Sequence, residues 1–306
     1  VYTSGLTNDN NDEYFKNVLY HLDNKNFSKA FECCQQEAYN TLNPNAWYNL
    51  GYCYQHGIGI LIDESQAFKC YESAARSDHG SAMKMLGDCY RFGIGITRDL
   101  SEAFQCYKNA AEVKKNSAAY NALGECYQYG LGVSVNTTNA IKNYIIASDN
   151  GDDMAQFNIG NCYQHGIEFS KNLVKAHMFY QEAIKMGNTE ALLRVALCYQ
   201  NGIGVSCDKP KAFQYFVNCA EMNNKSAIYQ VGNCYQHGNG INKNDQLAYL
   251  YYLKASKVGS IEAMNALGYC YSHGIGVPID EHIASKYYSY ATNAINLLAT
   301  SKGGDL

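Results

Sequence analysis

Residues 82–111 read AMKMLGDCYRFGIGITRDLSEAFQCYKNAA. Counted from Cys89, the residues Ala82, Leu86, Tyr90 and Gly93 stand at −7, −3, +1 and +4, the spacing of one apolar helix stripe and not of a strand. Gly93 suits the left-handed residue just past a helix C-terminus, where a side chain would be strained. Gly95 keeps the chain turning, and Asp99 can accept an orphan backbone N–H at the next helix start. Ala103, Tyr107 and Ala110 carry the stripe of a second helix. The stretch predicts a helical hairpin closed by a glycine-rich loop.

The same grammar recurs around Cys53, Cys89, Cys126, Cys162, Cys198, Cys234 and Cys270, each followed by tyrosine, at steps of 36, 37, 36, 36, 36 and 36 residues. Alanine stands seven before every cysteine and fourteen after it, and glycine four after it. Position −2 is glycine except for Ala196, and +18 is tyrosine except for Phe216. Position +10 is always Asp or Asn. Each second helix ends near a residue that tolerates a left-handed turn, such as Asp78, Gly151, Gly187, Asn223 or Gly259. A lone hairpin cannot bury its apolar face, so stacking of successive hairpins must supply the core. Small residues let the helices approach, and the tyrosines fill the gaps between hairpins.

Two departures stand out. The fourth loop, Gly166-Ile167-Glu168-Phe169, lacks the second glycine, so a different loop shape is expected there. One extra residue lies between Val113 and Ala119. Upstream, Tyr14–Asp23 and Phe27–Asn40 predict a shorter capping hairpin. The expected organisation is a tail at 1–12 and one solenoid domain at 13–300, followed by a tail at 301–306. Within the domain the cap covers 13–45, the repeats 46–292, and a helix extension runs to 300. The chain begins at Val1, as a fragment or a processed product would.

The 306 residues are 47% hydrophobic and 17% charged, with net charge −4 and only three prolines. Such a chain can bury a core. It carries no basic stripe for a phosphate backbone and no apolar run long enough to span a bilayer, so neither nucleic acid nor a membrane span is expected. The Gly-x-Gly loops follow no strand and precede no Lys-Ser/Thr, which separates them from phosphate cradles. No paired carboxylates or nucleophile elbow mark a catalytic centre, and no cofactor is implied.

Seven of the thirteen cysteines occupy the repeat position. Neighbouring helices pack about 8–10 Å apart, too far for a disulfide between equivalent positions, and a free cysteine behaves as a small buried hydrophobe. Cys70 and Cys106 lie seventeen residues after a repeat cysteine and could face it across the hairpin; the reading taken is reduced thiols. His56, His165, His237 and His273 follow the cysteine by three, a spacing that places thiol and imidazole near each other. That position is Phe92, Tyr129 and Asn201 in other repeats, two ligands per repeat do not close a tetrahedral metal site, and histidine suits a helix C-terminus. Sequons begin at Asn26, Asn136 and Asn224, all in predicted turns. They permit a secretory location, whereas an odd cysteine count with irregular placement leans toward reduced thiols and the cytoplasm; both compartments stay open.

In these residues the chain resembles the Sel-one-like repeat family, relatives of the tetratricopeptide repeats, whose pattern Ala82 to Ala111 follows closely. The resemblance covers residues 46–292. It implies an all-α, right-handed α/α superhelical solenoid of about seven helical hairpins plus the N-terminal cap. It also implies scaffold or adaptor roles in protein–protein interaction, with no catalytic residues. Secreted members that clamp each repeat with a cysteine pair have no counterpart here, because that regular pair is missing. In such solenoids the first helices line the concave face. Positions −4, −1 and +3 then point outward, and the expected partner-binding residues are Tyr52, His56, Asp88, Phe92, Tyr129, Asn161, His165, Arg194, Asn201, Gln230, Asn233, His237, Tyr269 and His273. Position +2 adds Gln55, Arg91, Gln128, Gln164, Gln200 and Gln236. Amides pair with an extended peptide backbone and tyrosines give rigid contact area, so a groove for a peptide segment or partner helix is expected. A glycan would suit the same chemistry. A further alternative is head-to-tail self-assembly into a filament or oligomer, through Ile295, Leu297 and Leu298 near the end of the last helix.

Overall fold

The computed structural model describes Leu6 and residues 13–112 and 115–303, with side chains as far as Leu297. The described residues form sixteen helices. α1 (Glu13–Asp23) and α2 (Phe27–Thr41) make the cap. The repeats are α3 (Pro44–His56) with α4 (Glu64–Arg76), α5 (Gly80–Phe92) with α6 (Leu100–Glu112), α7 (Ser117–Tyr129) with α8 (Thr137–Asp149), and α9 (Asp153–His165) with α10 (Leu173–Lys185). They continue as α11 (Thr189–Asn201) with α12 (Lys209–Glu221), α13 (Lys225–His237) with α14 (Asp245–Lys257), and α15 (Ile261–His273) with α16 (Glu281–Gly303). Two compact units divide the chain, Val1–Ala155 and Gln156–Leu306. Within each, hairpins stack in chain order, every helix packing on the helix that follows it along most of the unit.

The expected caps are present. Glycines at +4 take φ of 67–73°. The Asp or Asn at +10 accepts a backbone N–H at 2.9–3.0 Å, as Asp63 does from Gln66 and Asn136 from Asn139. Asp78 and Asn223 adopt φ near 60°, and Gly151, Gly187 and Gly259 are left-handed as well. The loop is held by the carbonyls of the Cys-Tyr pair. Ile94 N–H donates to the Cys89 oxygen at 3.0 Å and Asp99 N–H to the Tyr90 oxygen at 2.9 Å, a pattern found in all seven loops. One set of caps was not anticipated. His79, Asn116, Asp152, Asn188, Asn224 and Ser260, each ten or so residues before the cysteine, accept the N–H of the −7 alanine and start the first helix.

Two glycine positions, both filled in five of the seven repeats, answer to close approach. A Cβ on the in-helix Gly87 would lie 2.6 Å from the Tyr107 ring of its own hairpin, and Gly124, Gly160 and Gly232 stand likewise to Tyr144, Tyr180 and Tyr252. Those tyrosines are the largest fully buried side chains. The second loop glycine does more than keep the chain turning. On Gly95 a Cβ would fall on the Glu64 carbonyl of the preceding hairpin, and Gly59, Gly132, Gly204, Gly240 and Gly276 press on Phe27, Leu100, Leu173, Lys209 and Asp245 in the same way.

The tyrosine of the Cys-Tyr pair spans neighbouring hairpins, as expected. Tyr90 stands edge-on to Phe68 at 5.5 Å, Tyr127 to Phe104 at 5.5 Å, Tyr235 to Phe213 at 5.4 Å and Tyr271 to Tyr249 at 5.8 Å. Each such pair adds about 0.5–1.5 kcal/mol beyond its buried area. In the position of those phenylalanines α10 carries His177, buried and edge-on to Tyr199, with its Nδ1 unpartnered. Burial lowers its pKa, and Lys211 of α12 lowers it further.

The fourth loop departs from expectation by conforming. Ile167 N–H meets the Cys162 oxygen and Asn172 N–H the Tyr163 oxygen, both at 2.9 Å, and Glu168 takes φ of 60° where other repeats use glycine. The Cys-Tyr carbonyls dictate the loop, and Glu168 carries the strain. Phe169 stacks on Tyr163 at 4.4 Å and 10°, with Phe179 on that ring at 5.4 Å. At the chain ends, Leu6 is buried in the cap cluster, while 1–5 and 7–12, assigned to a tail, lie outside the described residues, as do 304–306. The same holds for 113 and 114, beside the extra residue, and for the Leu298 side chain. α16 is 23 residues long, ten more than each repeat helix before it. It places Ser285, Ser289 and Thr292 along a shallow groove beside Tyr288, which is 39% exposed; Ser285 stands where earlier second helices present an aromatic, Ile141 or His177.

Two outcomes are expected in denaturant titrations. Glu168→Gly should raise stability by about 0.5–1 kcal/mol by relieving a left-handed side chain, whereas Gly95→Ala should lower it by about 3 kcal/mol or more by forcing two backbones apart. No gain in Glu168→Gly would show the loop to be unstrained. Because the folded His177 binds a proton less readily than the unfolded one, stability should be lost as pH falls below about 6.5, and His177→Phe should remove part of that slope in pH-dependent unfolding.

Candidate functional site

The outward positions of the first helices divide into those that hold the fold and those that are open. At +2, Gln55, Gln128, Gln164 and Gln236 accept the hydroxyl of the buried tyrosine at 2.6–2.9 Å. Asp88 accepts the Tyr107 hydroxyl at 2.8 Å and pairs with Lys84 at 2.7 Å, and Asn161 accepts the Tyr180 hydroxyl at 2.8 Å. These two expected binding residues therefore position a core tyrosine. Phe216 carries no hydroxyl, which releases Gln200 from that duty.

The open set in the first unit comprises His56, Phe92 and Tyr129, the last two 63% and 62% exposed, with the half-buried Tyr52 ring 4.1 Å from His56. Between α5 and α7, Arg91 lies against Glu125 at 2.6 Å, near the Tyr107 hydroxyl, and covers the Phe92 ring at 5.0 Å. Burial lowers the Arg91 pKa, but Glu125 and Tyr107 together outweigh it and the net shift is upward.

In the second unit, His165, Arg194, Asn201 and His237 are exposed, and the exposed Tyr269 stacks on His273 at 4.0 Å. Gln230 and Asn233 are half-buried and 3.4 Å apart. Three expected residues, Asn233, His237 and Tyr269, converge on a pocket of about 490 Å³ between α13 and α15. The pocket also takes in Tyr229, Tyr252 and Glu262, which were not anticipated. Burial raises the Tyr229 hydroxyl pKa, and the Glu262 charge adds to it. Tyr229 and Glu262 lie one and two turns before the outward positions, and a groove between adjacent first helices recruits those turns. The other expected residues, those from Tyr52 to Asn201 together with Gln230 and His273, do not join this pocket.

The family model for the Sel1 repeat matches residues 44–79, 80–113, 117–152, 153–188, 189–224, 225–260 and 261–295. The chain belongs to the Sel1 repeat family. A Sel1 repeat protein from Oxalobacter formigenes is 30% identical, with a TM-score of 0.71 over 83% of this chain and 100% of that one. The protective antigen c5321 of uropathogenic Escherichia coli, which displays an SLR fold, is 25% identical with a TM-score of 0.67; 86% of this chain is covered, and it spans 56% of that antigen's length. Immunity protein Pa5087 from Pseudomonas aeruginosa, at 18% identity and TM-score 0.52, shares the fold over 72% of this chain and 82% of that one. No curated protein matches the chain in sequence. Sel1 repeat proteins are generally non-catalytic protein-interaction scaffolds.

The Sel1 cysteines are packing residues. All thirteen thiols are free, ten of them buried, Cys33 and Cys106 half-buried and Cys207 exposed. Burial pushes Cys89 up to about 12 and Cys126, Cys162, Cys198, Cys234 and Cys270 to about 11. Cys70 does neighbour Cys53, and Cys106 neighbours Cys89. The four histidines at +3 are exposed while their cysteines are buried, so thiol and imidazole part company. Among the described residues no three His, Cys, Asp or Glu side chains gather as metal ligands, and no helix is long and apolar enough to cross a membrane. The sequon residues Asn26, Asn136 and Asn224 are helix caps, accepting backbone N–H groups at 3.4, 2.9 and 3.0 Å. Native alkylation at pH 8 should label Cys207 first, Cys33 and Cys106 more slowly, and the other ten only on unfolding. Rapid labelling of a repeat cysteine, read by peptide mass spectrometry, would contradict the packing role.

Proposed function

We propose that this Sel1 repeat chain is a non-catalytic scaffold whose first-helix surface binds a protein partner, with the pocket between α13 and α15 as the principal contact of the second unit. The pocket itself carries this reading. It is concave, walled by Tyr229 and Tyr269, and offers Asn233, Gln236 and His237 as polar contacts, the mixture of rigid aromatic area and adaptable amides that suits a peptide segment. In the first unit, exposed Phe92 and Tyr129 extend the same chemistry. The alternative of head-to-tail assembly draws on Ile295 and Leu297 of α16, which are 51% and 70% exposed, although Ser285 offers a docking hairpin no aromatic edge.

Affinity capture tests the reading with the intact chain and two variants, Phe92→Ala/Tyr129→Ala and His237→Ala/Tyr269→Ala. These positions are exposed, so melting temperatures should hold. Partners retained by the wild type should fall at least tenfold on one or both variants, and equal retention by all three would refute the surface assignment.

A further inference from the structure

The chain shows how a groove between two of its first helices can be filled. Between α5 and α7 the occupant is its own Arg91: the guanidinium meets the Glu125 carboxylate at 2.6 Å, lies near enough to the Tyr107 hydroxyl for the two to interact, and lies over Phe92. The repeat maps these four residues onto Gln236, Tyr269, Tyr252 and His237 between α13 and α15. There the side chain at the arginine position is shorter and uncharged, and its Oε1 is committed to the Tyr252 hydroxyl at 2.6 Å. A volume of about 490 Å³ is left open. The fixtures that hold Arg91 nevertheless have counterparts. Tyr229 and Tyr269 supply ring faces, the Tyr252 oxygen keeps lone-pair capacity, and Glu262 supplies the carboxylate, close enough for its charge to act on Tyr229. Glu262 is the only formally charged residue among those lining the pocket. Flat aromatic faces with one carboxylate and neutral acceptors match a planar cation with several donors, and a guanidinium matches them better than a compact, strongly hydrated ammonium.

We infer that this pocket receives the guanidinium of an arginine side chain from a protein partner, taking the place that Arg91 fills between α5 and α7. The inference rests on the reading that the first-helix surface meets a protein.

The test is a chemical-shift titration of the full chain with ¹³C-labelled tyrosine rings, using N-acetyl-L-arginine amide and its neutral isostere N-acetyl-L-citrulline amide. The Tyr229 and Tyr269 signals, assigned by Tyr229→Phe and Tyr269→Phe, should shift and saturate with the arginine probe. Affinity should be on the order of 1–10 mM for so small a ligand, and at least tenfold weaker for citrulline. Glu262→Gln keeps an acceptor for the Ser260 hydroxyl and should weaken arginine binding about tenfold. Gln236→Arg should fill the pocket from within and abolish it, with the melting temperature held or raised. No saturable shift, equal response to citrulline, or indifference to Glu262→Gln would overturn the inference. If partner capture still depends on His237 and Tyr269 while the arginine probe fails, the guanidinium assignment alone falls. If capture is indifferent as well, the binding surface falls with it.

Discussion

In six of the seven repeat hairpins the second loop glycine can lie where it does only because it has no side chain. Its α-carbon is pressed against the carbonyl that opens the preceding second helix, at Phe27, Glu64, Leu100, Leu173, Lys209 and Asp245. That contact sets the distance between successive hairpins, and other features follow from the distance. The tyrosine of the Cys-Tyr pair reaches the preceding aromatic edge-on because the hairpins are that close. Inside a hairpin a separate close approach applies, where the buried tyrosine at +18 fits beside an in-helix glycine. The groove between adjacent first helices is as wide as the spacing leaves it, and one guanidinium fills it between α5 and α7.

Much of this fold was legible because every structural decision is written seven times. Period, helix bounds, the left-handed stops and the starts at +10 all follow from residue types whose conformational preferences are local. What stayed hidden depends on partners distant in sequence. Gly95 looked like a turn residue because nothing in its neighbourhood announces the Glu64 carbonyl. Glu168 looked like a change of loop shape, yet the Cys162 and Tyr163 carbonyls impose the common loop upon it. The caps that start the first helices, such as Asn116 and Asn188, do stand in the sequence as a recurring polar residue before each alanine stripe.

The candidate site was legible only in part, for a related reason. Outward-facing positions can be counted along one helix, and Asn233, His237 and Tyr269 were found that way. Tyr229 and Glu262 enter because a groove belongs to two helices at once, and single-helix counting does not see the second wall. Asp88 and Asn161 show the opposite error: their side chains point away from the core stripe but are held by the hydroxyl of a tyrosine rooted within it. Polarity at an outward position does not distinguish a surface that recognises a partner from one that tethers a ring.

The fifth repeat departs from the others at two places, Ala196 and Phe216, and the geometry orders these changes in time. In five of the other six repeats a hydrogen bond to the +2 or −1 residue pins the tyrosine ring against glycine, where even a methyl group would lie 2.6–2.9 Å from ring carbons. A lineage that acquired alanine first would pass through a collision with a tethered ring. One that lost the hydroxyl first would free the ring to withdraw, and the methyl could then be accepted. Descent by way of a Gly-Phe intermediate is the passable route, so an ancestral fifth repeat should carry glycine opposite phenylalanine rather than alanine opposite tyrosine.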